Sequence, residues 1–154
     1  MSRAVVLDTS VLSHACRRPG QSAESDACAR WMRQLVAAAV VVYVPEVTDY
    51  ELRRELIRTG RASSLARLDA LQAVLEYVPI TTEAMRVAAD LWAQARNNGW
   101  ATADPKSLDG DVILAAQALT LAPAPAYLVV ATQNVAHLLC LSRPAPAPAT
   151  IQSA

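Results

Sequence analysis

The sequence predicts an α/β fold, a three-layer α/β/α sandwich with a mainly parallel central sheet, and two observations lead to this prediction. Short continuous apolar runs, typical of strands covered on both faces, stand at 4–7, 40–44 and 127–131. Longer segments with apolar residues at helical spacing lie between these runs. Strands that alternate with helices indicate βαβ units, which build a parallel sheet with helices on both faces.

The individual elements follow from apolar spacing and from residues that start or stop helices. Ser22 and either Thr81 or Thr82 are predicted helix N-caps, while Gly60 and Gly99 end two helices. A short helix capped by Ser10 is expected after the first strand. The remaining predicted elements are a helix at 22–38, a strand at 40–44, a helix at 46–59, a helix ending near 76, a short strand at 77–80, a helix ending at 97, an alanine-rich helix at 109–118 and a strand at 127–131.

The connections and the tail are marked by polar residues and proline. Residues 100–107 read as a polar loop, and the two prolines within 121–126 indicate a linker. A short helix is expected near His137. We place one domain at 1–141 and interpret 142–154, with its three prolines, as an extended and mobile tail.

Composition fits a single soluble domain. The 154 residues are 53% hydrophobic and 5% aromatic, which suits one core filled by Ala, Val and Leu. The longest strongly apolar run, 35–44, is too short to cross a bilayer, and no signal peptide is visible, so no membrane association is expected. Cys16, Cys28 and Cys140 lack metal-binding spacing, which indicates reduced thiols in a cytoplasm. A formal net charge of +0 argues against a protein that coats nucleic acid through bulk electrostatics.

Acidic residues occupy positions in these elements that are partly buried. Asp8 follows the first strand, and ligands of open α/β sheets bind at the carboxyl ends of strands. Glu51 lies near the core side of the helix after the second strand, and Asp111 shares a helix face with Leu114 and Ala118. Each acid also has an ordinary structural explanation: an Asx-turn for Asp8, a surface ion pair for Glu51, and compensation of the helix dipole for Asp111.

A common pocket for these acids would require a cation. Asp8, Glu51 and Asp111 can converge at the carboxyl edge of the sheet, and Asp109 is either a further acid of the pocket or the N-cap of its helix. Several ionised carboxylates cannot crowd together without a compensating positive charge. Oxygen ligands without a His or Cys cluster favour Mg²⁺ or Mn²⁺.

Four segments of the chain resemble, in order, the motifs of PIN-domain ribonucleases, and most closely those of the VapC-type toxins of bacterial toxin-antitoxin pairs. The resemblance runs from about Val5 to Leu138. The segments are Val-Leu-Asp-Thr-Ser-Val-Leu around Asp8, Tyr-Glu-Leu-Arg-Arg-Glu-Leu around Glu51, Asp-Val-Ile-Leu-Ala-Ala-Gln-Ala from Asp111, and Thr-Gln-Asn-Val-Ala-His-Leu around Asn134.

The resemblance implies a division of roles among these residues. Asp8 and Asp111 would be the principal ligands of the divalent ion, with Glu51 completing the acidic set directly or through water. Thr9 or Ser10 would hold a ligand water or orient Asp8. The catalytic set it implies is Asp8, Glu51, Asp111, Asn134 and, as the ambiguous member, Asp109.

Asn134 stands where the family has a fourth acid or, often, Asn, and its amide would bond a ligand water. Leu138 departs from the family, which commonly has Phe there, and the proline-rich linker before the last predicted strand is longer than expected. Arg53, Arg54 and Lys106 are candidate phosphate contacts because their cationic groups match phosphate oxygens.

The predicted function is Mg²⁺-dependent endoribonuclease activity, as the toxin of a toxin-antitoxin pair. The resemblance implies an RNA substrate, a homodimer, and a cognate antitoxin that reaches the acidic pocket, often with a basic side chain. One alternative is a catalytically silent PIN-fold module that binds RNA or protein. A phosphohydrolase of the haloacid-dehalogenase kind is disfavoured, because it needs a second Asp two residues after the first, where this chain has Ser10.

Overall fold

Strands and helices alternate along the chain in the computed structural model, which describes residues 2–99, 105–133 and 149–153. The elements, in chain order, are β1 (Arg3–Leu7), α1 (Thr9–Ala15), α2 (Ala23–Ala37), β2 (Val41–Pro45), α3 (Glu46–Arg58), α4 (Ala62–Val74), β3 (Glu76–Val78), α5 (Thr82–Asn97), α6 (Pro105–Leu119), β4 (Tyr127–Thr132) and β5 (Ala149–Ser153).

The strands form one sheet in the order β3-β2-β1-β4-β5, and every pairing is parallel. The central strand, β1, therefore lies between β2 and β4, with Val5 opposite both Val42 and Val129. The chain moves outward from β1 to β3 and then crosses back to β4. The carboxyl ends of β1 and β4 are thus neighbours at the point where the strand order reverses, which is where such sheets bind ligands.

Alternate residues of β1 face two separate apolar clusters, because successive side chains of a strand point to opposite faces. Ala4 and Val6 pack in a cluster with α5 and α6. Val5 and Leu7 pack in the other cluster, whose helical members come from α1, α2, α3 and α4. This arrangement confirms the predicted three-layer α/β/α sandwich.

Local capping explains where several helices begin. Ser22 and Thr81 cap α2 and α5 by accepting bonds from Ser25 N and Ala84 N at 3.1 and 3.0 Å, as predicted. The cap of α1 is Asp8, so the prediction that Ser10 performs this role was wrong.

Most boundaries differ from those predicted by one or two residues, and two differ by more. The loop expected at 100–107 ends earlier, because Pro105 is already helical in α6, where proline is favoured at the first position. Residues 149–153, predicted to belong to a mobile tail, form β5 and pair with β4 from Leu128 to Thr132. The predicted helix near His137 lies outside the described residues.

No helix within residues 2–99, 105–133 and 149–153 combines the length and the apolar character that a membrane crossing requires.

Candidate active site at the carboxyl edge of the sheet

Asp8 leaves the end of β1 and is fixed there by its neighbours. Its Oδ1 accepts a bond from Thr9 N at 2.6 Å, and its Oδ2 accepts bonds from Thr132 Oγ1 at 2.5 Å and Ser10 Oγ at 3.4 Å. Its own backbone N–H donates to Ala131 O at 3.0 Å. The Asp8 carboxylate is therefore held at the junction between β1 and β4, at the switch point of the sheet.

Glu51 reaches the same junction from α3, as the sequence predicts for a half-buried acid. Thr9 Oγ1 donates to Glu51 Oε2 at 2.5 Å. Because Thr9 N also bonds Asp8, a single residue contacts both carboxylates. The contact with Thr9 replaces the surface ion pair that was the ordinary explanation of Glu51.

The helix α6 approaches Glu51 through a glycine. A Cβ atom added at Gly110 would overlap Glu51 Oε1 and lie 3.2 Å from Glu51 Cδ. A side chain at position 110 would therefore displace the Glu51 carboxylate from the position that it occupies here. Asp111 is the next residue and is half-buried, with Leu114 and Ala118 buried further along the helix. The structure therefore brings Asp8, Glu51 and the segment that carries Asp111 to one edge.

Asp109 belongs to a different surface. It is exposed and lines a groove of about 430 Å³ between α5 and α6, together with Met85, Trp92 and Val112. The N-cap interpretation of Asp109 was wrong, because α6 begins at Pro105, four residues earlier.

The two arginines predicted to contact phosphate make other contacts in the structure. Arg53 Nη2 pairs with Asp49 at 3.0 Å and with Asp69 at 2.8 Å, and its hydrogen bonds to both carboxylates raise its pKa. The Arg54 guanidinium lies 5.0 Å from the centre of the Tyr50 ring. The Lys106 side chain and all of Asn134, for which a phosphate contact and a bond to a ligand water were predicted, lie outside the described residues.

The donor chemistry of the edge suits a hard dication, although the described residues do not form a compact metal cluster. Carboxylate and hydroxyl oxygens from Asp8, Glu51 and Thr9 are the ligand type that Mg²⁺ prefers. Among the described side chains, no group of three or more His, Cys, Asp or Glu is gathered as a metal ion would require. Asp8 and Glu51 instead bond hydroxyl groups.

Sequence reasoning missed two residues that organise this edge. Thr132 binds Asp8 from β4. Its signals were its position at the end of a predicted strand and its place as the first residue of the fourth PIN-like segment. Gln117 is 1% exposed and joins α6 to its neighbours, because its Oε1 accepts from Val47 N at 3.2 Å and its Nε2 donates to Val78 O at 2.7 Å. A lone amide on an otherwise apolar helix was the signal for Gln117.

A family model for the PIN domain matches residues 5–122, which include Asp8, Glu51 and Asp111. The chain belongs to the PIN-domain family. No curated protein sequence matches this PIN domain.

Two solved structures share the fold of this PIN domain. A chain in the crystal structure of VapBC2 from Rickettsia felis, bound to a DNA fragment from their promoter, is 14% identical, with a TM-score of 0.69 over 97% of this chain and 98% of that chain. A chain in the crystal structure of DNA-bound VapBC from Salmonella typhimurium is 18% identical, with a TM-score of 0.64 over 99% of this chain and 98% of that chain.

Proposed function

We propose that this PIN domain is a Mg²⁺-dependent endoribonuclease and the toxin of a toxin-antitoxin pair. The observation that carries the proposal is the joint contact of Thr9 with Asp8 and Glu51, beside the helix that bears Asp111. The fold shared with chains of two VapBC structures supports the same proposal.

The proposed ligands of Mg²⁺ are Asp8 and Asp111, with Glu51 acting directly or through a water. When bound, the ion supplies a more acidic water and neutralises charge that develops on the phosphate. Glu51 Oε2 already accepts from Thr9, so Oε1, on the Gly110 side, is the atom we assign to receiving the proton of the attacking water. Ser10 and Thr132 orient Asp8 through their hydroxyl groups.

Partners follow from the same proposal. We call the edge of the sheet that carries Asp8, Glu51 and Asp111 the acidic edge. An antitoxin would place a basic group at the acidic edge and relieve the repulsion between carboxylates in place of the ion. We also propose a homodimer and a cytoplasmic location. Co-purification with the product of a neighbouring reading frame would test the antitoxin, and light scattering would test the dimer.

A catalytically silent module remains a second candidate, because Asp8 and Glu51 bond hydroxyl groups and no metal cluster is gathered in the described part of the chain. Cleavage of RNA separates the two candidates. The purified chain should cut RNA with Mg²⁺ or Mn²⁺ and stop when EDTA is added.

The variants Asp8→Asn and Asp111→Asn should each abolish this cleavage while the circular dichroism spectrum stays unchanged. Asp90→Asn, an exposed change on α5, is the matched control and should keep full activity. Full activity in Asp8→Asn or in EDTA would overturn the proposed metal-dependent mechanism. Inactivity of the wild type with every RNA tested would favour the silent module.

A further inference from the structure

A cavity of about 450 Å³ lies beside the acidic edge, between α1, α2 and the end of β4. We call it the α1–α2 cavity. Its volume is within the range of small-molecule sites, which are largely apolar with a few polar groups. Its lining includes Val11, His14, Glu24, Cys28, Trp31 and Gln133.

The α1–α2 cavity is connected to Asp8 by two hydrogen bonds. Gln133 N donates to Ser10 Oγ at 3.3 Å, and Ser10 Oγ donates to Asp8 Oδ2 at 3.4 Å. A group seated against Gln133 is therefore close to Asp8, and close to the phosphate that an ion held by Asp8 would bind. The proposed ribonuclease would place the base of a neighbouring nucleotide here.

Hydrogen bonds hold the polar wall of the cavity in place. His14 Nε2 lies 3.2 Å from Gln133 Nε2, and His14 Nδ1 lies 3.2 Å from the hydroxyl of Ser25, which is 3% exposed. With the Gln133 amide oriented in this way, its nitrogen donates to Nε2, so Nδ1–H donates to Ser25 Oγ. The imidazole and the amide are thus positioned before any ligand binds.

The remaining lining supplies an aromatic ring and an anionic acceptor. Trp31 is half-buried against the core and also lines the cavity, and an indole ring is the kind of surface on which a nucleobase can stack. A hydrogen bond from the backbone of Glu24 itself, together with one from the Ser22 hydroxyl, lowers the pKa of the Glu24 carboxyl. Its carboxylate is therefore ionised at neutral pH and can only accept hydrogen bonds. A carboxylate repels phosphate but accepts from the donor groups on the edge of a base.

We propose that the α1–α2 cavity binds a guanine base of the RNA substrate, next to the phosphate that is cut. This inference rests on the proposed ribonuclease function. Guanine presents its N1–H and its 2-amino group side by side, as a carboxylate requires for two parallel hydrogen bonds. Adenine and cytosine offer an amino group alone, and uracil offers a single N–H on that edge.

Equilibrium binding tests the proposal without depending on catalysis. The cleavage-deficient Asp8→Asn chain is titrated into fluorescent pentauridine and into the same oligomer with one central guanine, adenine or cytosine. We expect the guanine oligomer to bind about tenfold more tightly than pentauridine, the size of one good bidentate contact. Adding Glu24→Gln or Trp31→Leu should reduce this preference to about twofold or less.

Glu83→Gln is the matched control, since Glu83 is also an exposed acid in the first turn of its helix, and it should keep the preference. Glu24 is exposed, so Glu24→Gln remains informative even if Trp31→Leu unfolds. Equal binding of all four oligomers would overturn the proposal. A guanine preference that survives Glu24→Gln would also overturn it. The same holds if a partner polypeptide fills the cavity while no base preference is measured.

The outcomes also separate this proposal from the ribonuclease proposal. Metal-dependent cleavage by the wild type without any preference for guanine would overturn the base site alone. A guanine preference that depends on Glu24 and Trp31, in a chain that never cleaves RNA, would support the base site and overturn the nuclease.

Discussion

Replacing Gly110 by Ala tests the contact that brings α6 against Glu51. In the interior of a helix this substitution normally stabilises a protein, because alanine has the higher helix propensity. Here the new Cβ would overlap Glu51 Oε1. The overlap is relieved when the flexible Glu51 side chain moves away, which breaks its 2.5 Å hydrogen bond from Thr9 Oγ1.

Two free-energy terms of opposite sign set the expected magnitude. The gain in helix propensity is about 1 kcal/mol. The lost hydrogen bond to a charged group contributes about 1.5–3 kcal/mol. Gly110→Ala should therefore lower the free energy of unfolding by about 0.5–2 kcal/mol in the wild type and raise it by about 1 kcal/mol in a Glu51→Ala background.

Urea unfolding of the wild type, both single variants and the double variant closes a thermodynamic cycle. The coupling free energy between Gly110 and Glu51 should be about 1.5–3 kcal/mol. RNA cleavage by the Gly110→Ala variant should also fall below that of the wild type, because the Glu51 carboxylate moves out of the site. An equal effect of Gly110→Ala in both backgrounds would refute the contact.

Three further predictions concern other parts of the structure. Gln117→Leu leaves two backbone groups unpaired and should lower the free energy of unfolding in urea by about 2–5 kcal/mol; a loss below about 1 kcal/mol would contradict the assigned bonds. Arg53→Ala removes the ion-pair partner of buried Asp49 and should lower the free energy of unfolding by about 1–3 kcal/mol. Arg54→Ala should lower it by less than about 0.5 kcal/mol. Equal losses in the two variants would contradict the distinction between the two arginines. Burial raises the pKa of Cys16 from 9.0 to about 12, so the folded state binds the extra proton and stability should fall as the pH rises from 9 towards 12. In urea unfolding, Cys16→Ala should remove up to about 1.4 kcal/mol per pH unit of that fall, and an unchanged slope would contradict the assignment.

Most of the fold could be predicted because the apolar spacing and the capping residues indicate the same helices and strands along the chain. The run at 4–7 alternates between two cores, as a strand covered on both faces requires. The strand β5 could not be predicted, because its segment follows a proline-rich stretch and has few strand-forming residues. Its pairing partner, the exposed edge of β4, is fixed only by the tertiary fold.

The acidic edge was predictable only where local structure sets the position of a residue. Asp8 directly follows a strand and Glu51 lies in the second turn of a helix, so local structure sets the positions of both residues. The roles of Thr9 as a bridge, of Thr132 and of Gly110 depend on contacts between distant segments. Asp109 was left open between a further acid of the pocket and a helix N-cap, because the spacing did not establish where α6 begins. The true start, Pro105, rules out a cap, and the α5–α6 groove shows which way Asp109 faces.

The central proposal is that Asp8, Glu51 and Asp111 would together bind a divalent cation at the carboxyl edge of the sheet. A crystal of the protein soaked in Mn²⁺ and measured by anomalous diffraction tests this claim most directly. We expect one strong peak bound to Asp8 and Asp111, with Glu51 joined to it directly or through a water. Mn²⁺ bound only elsewhere, or no peak between these carboxylates at saturating Mn²⁺, would contradict the claim.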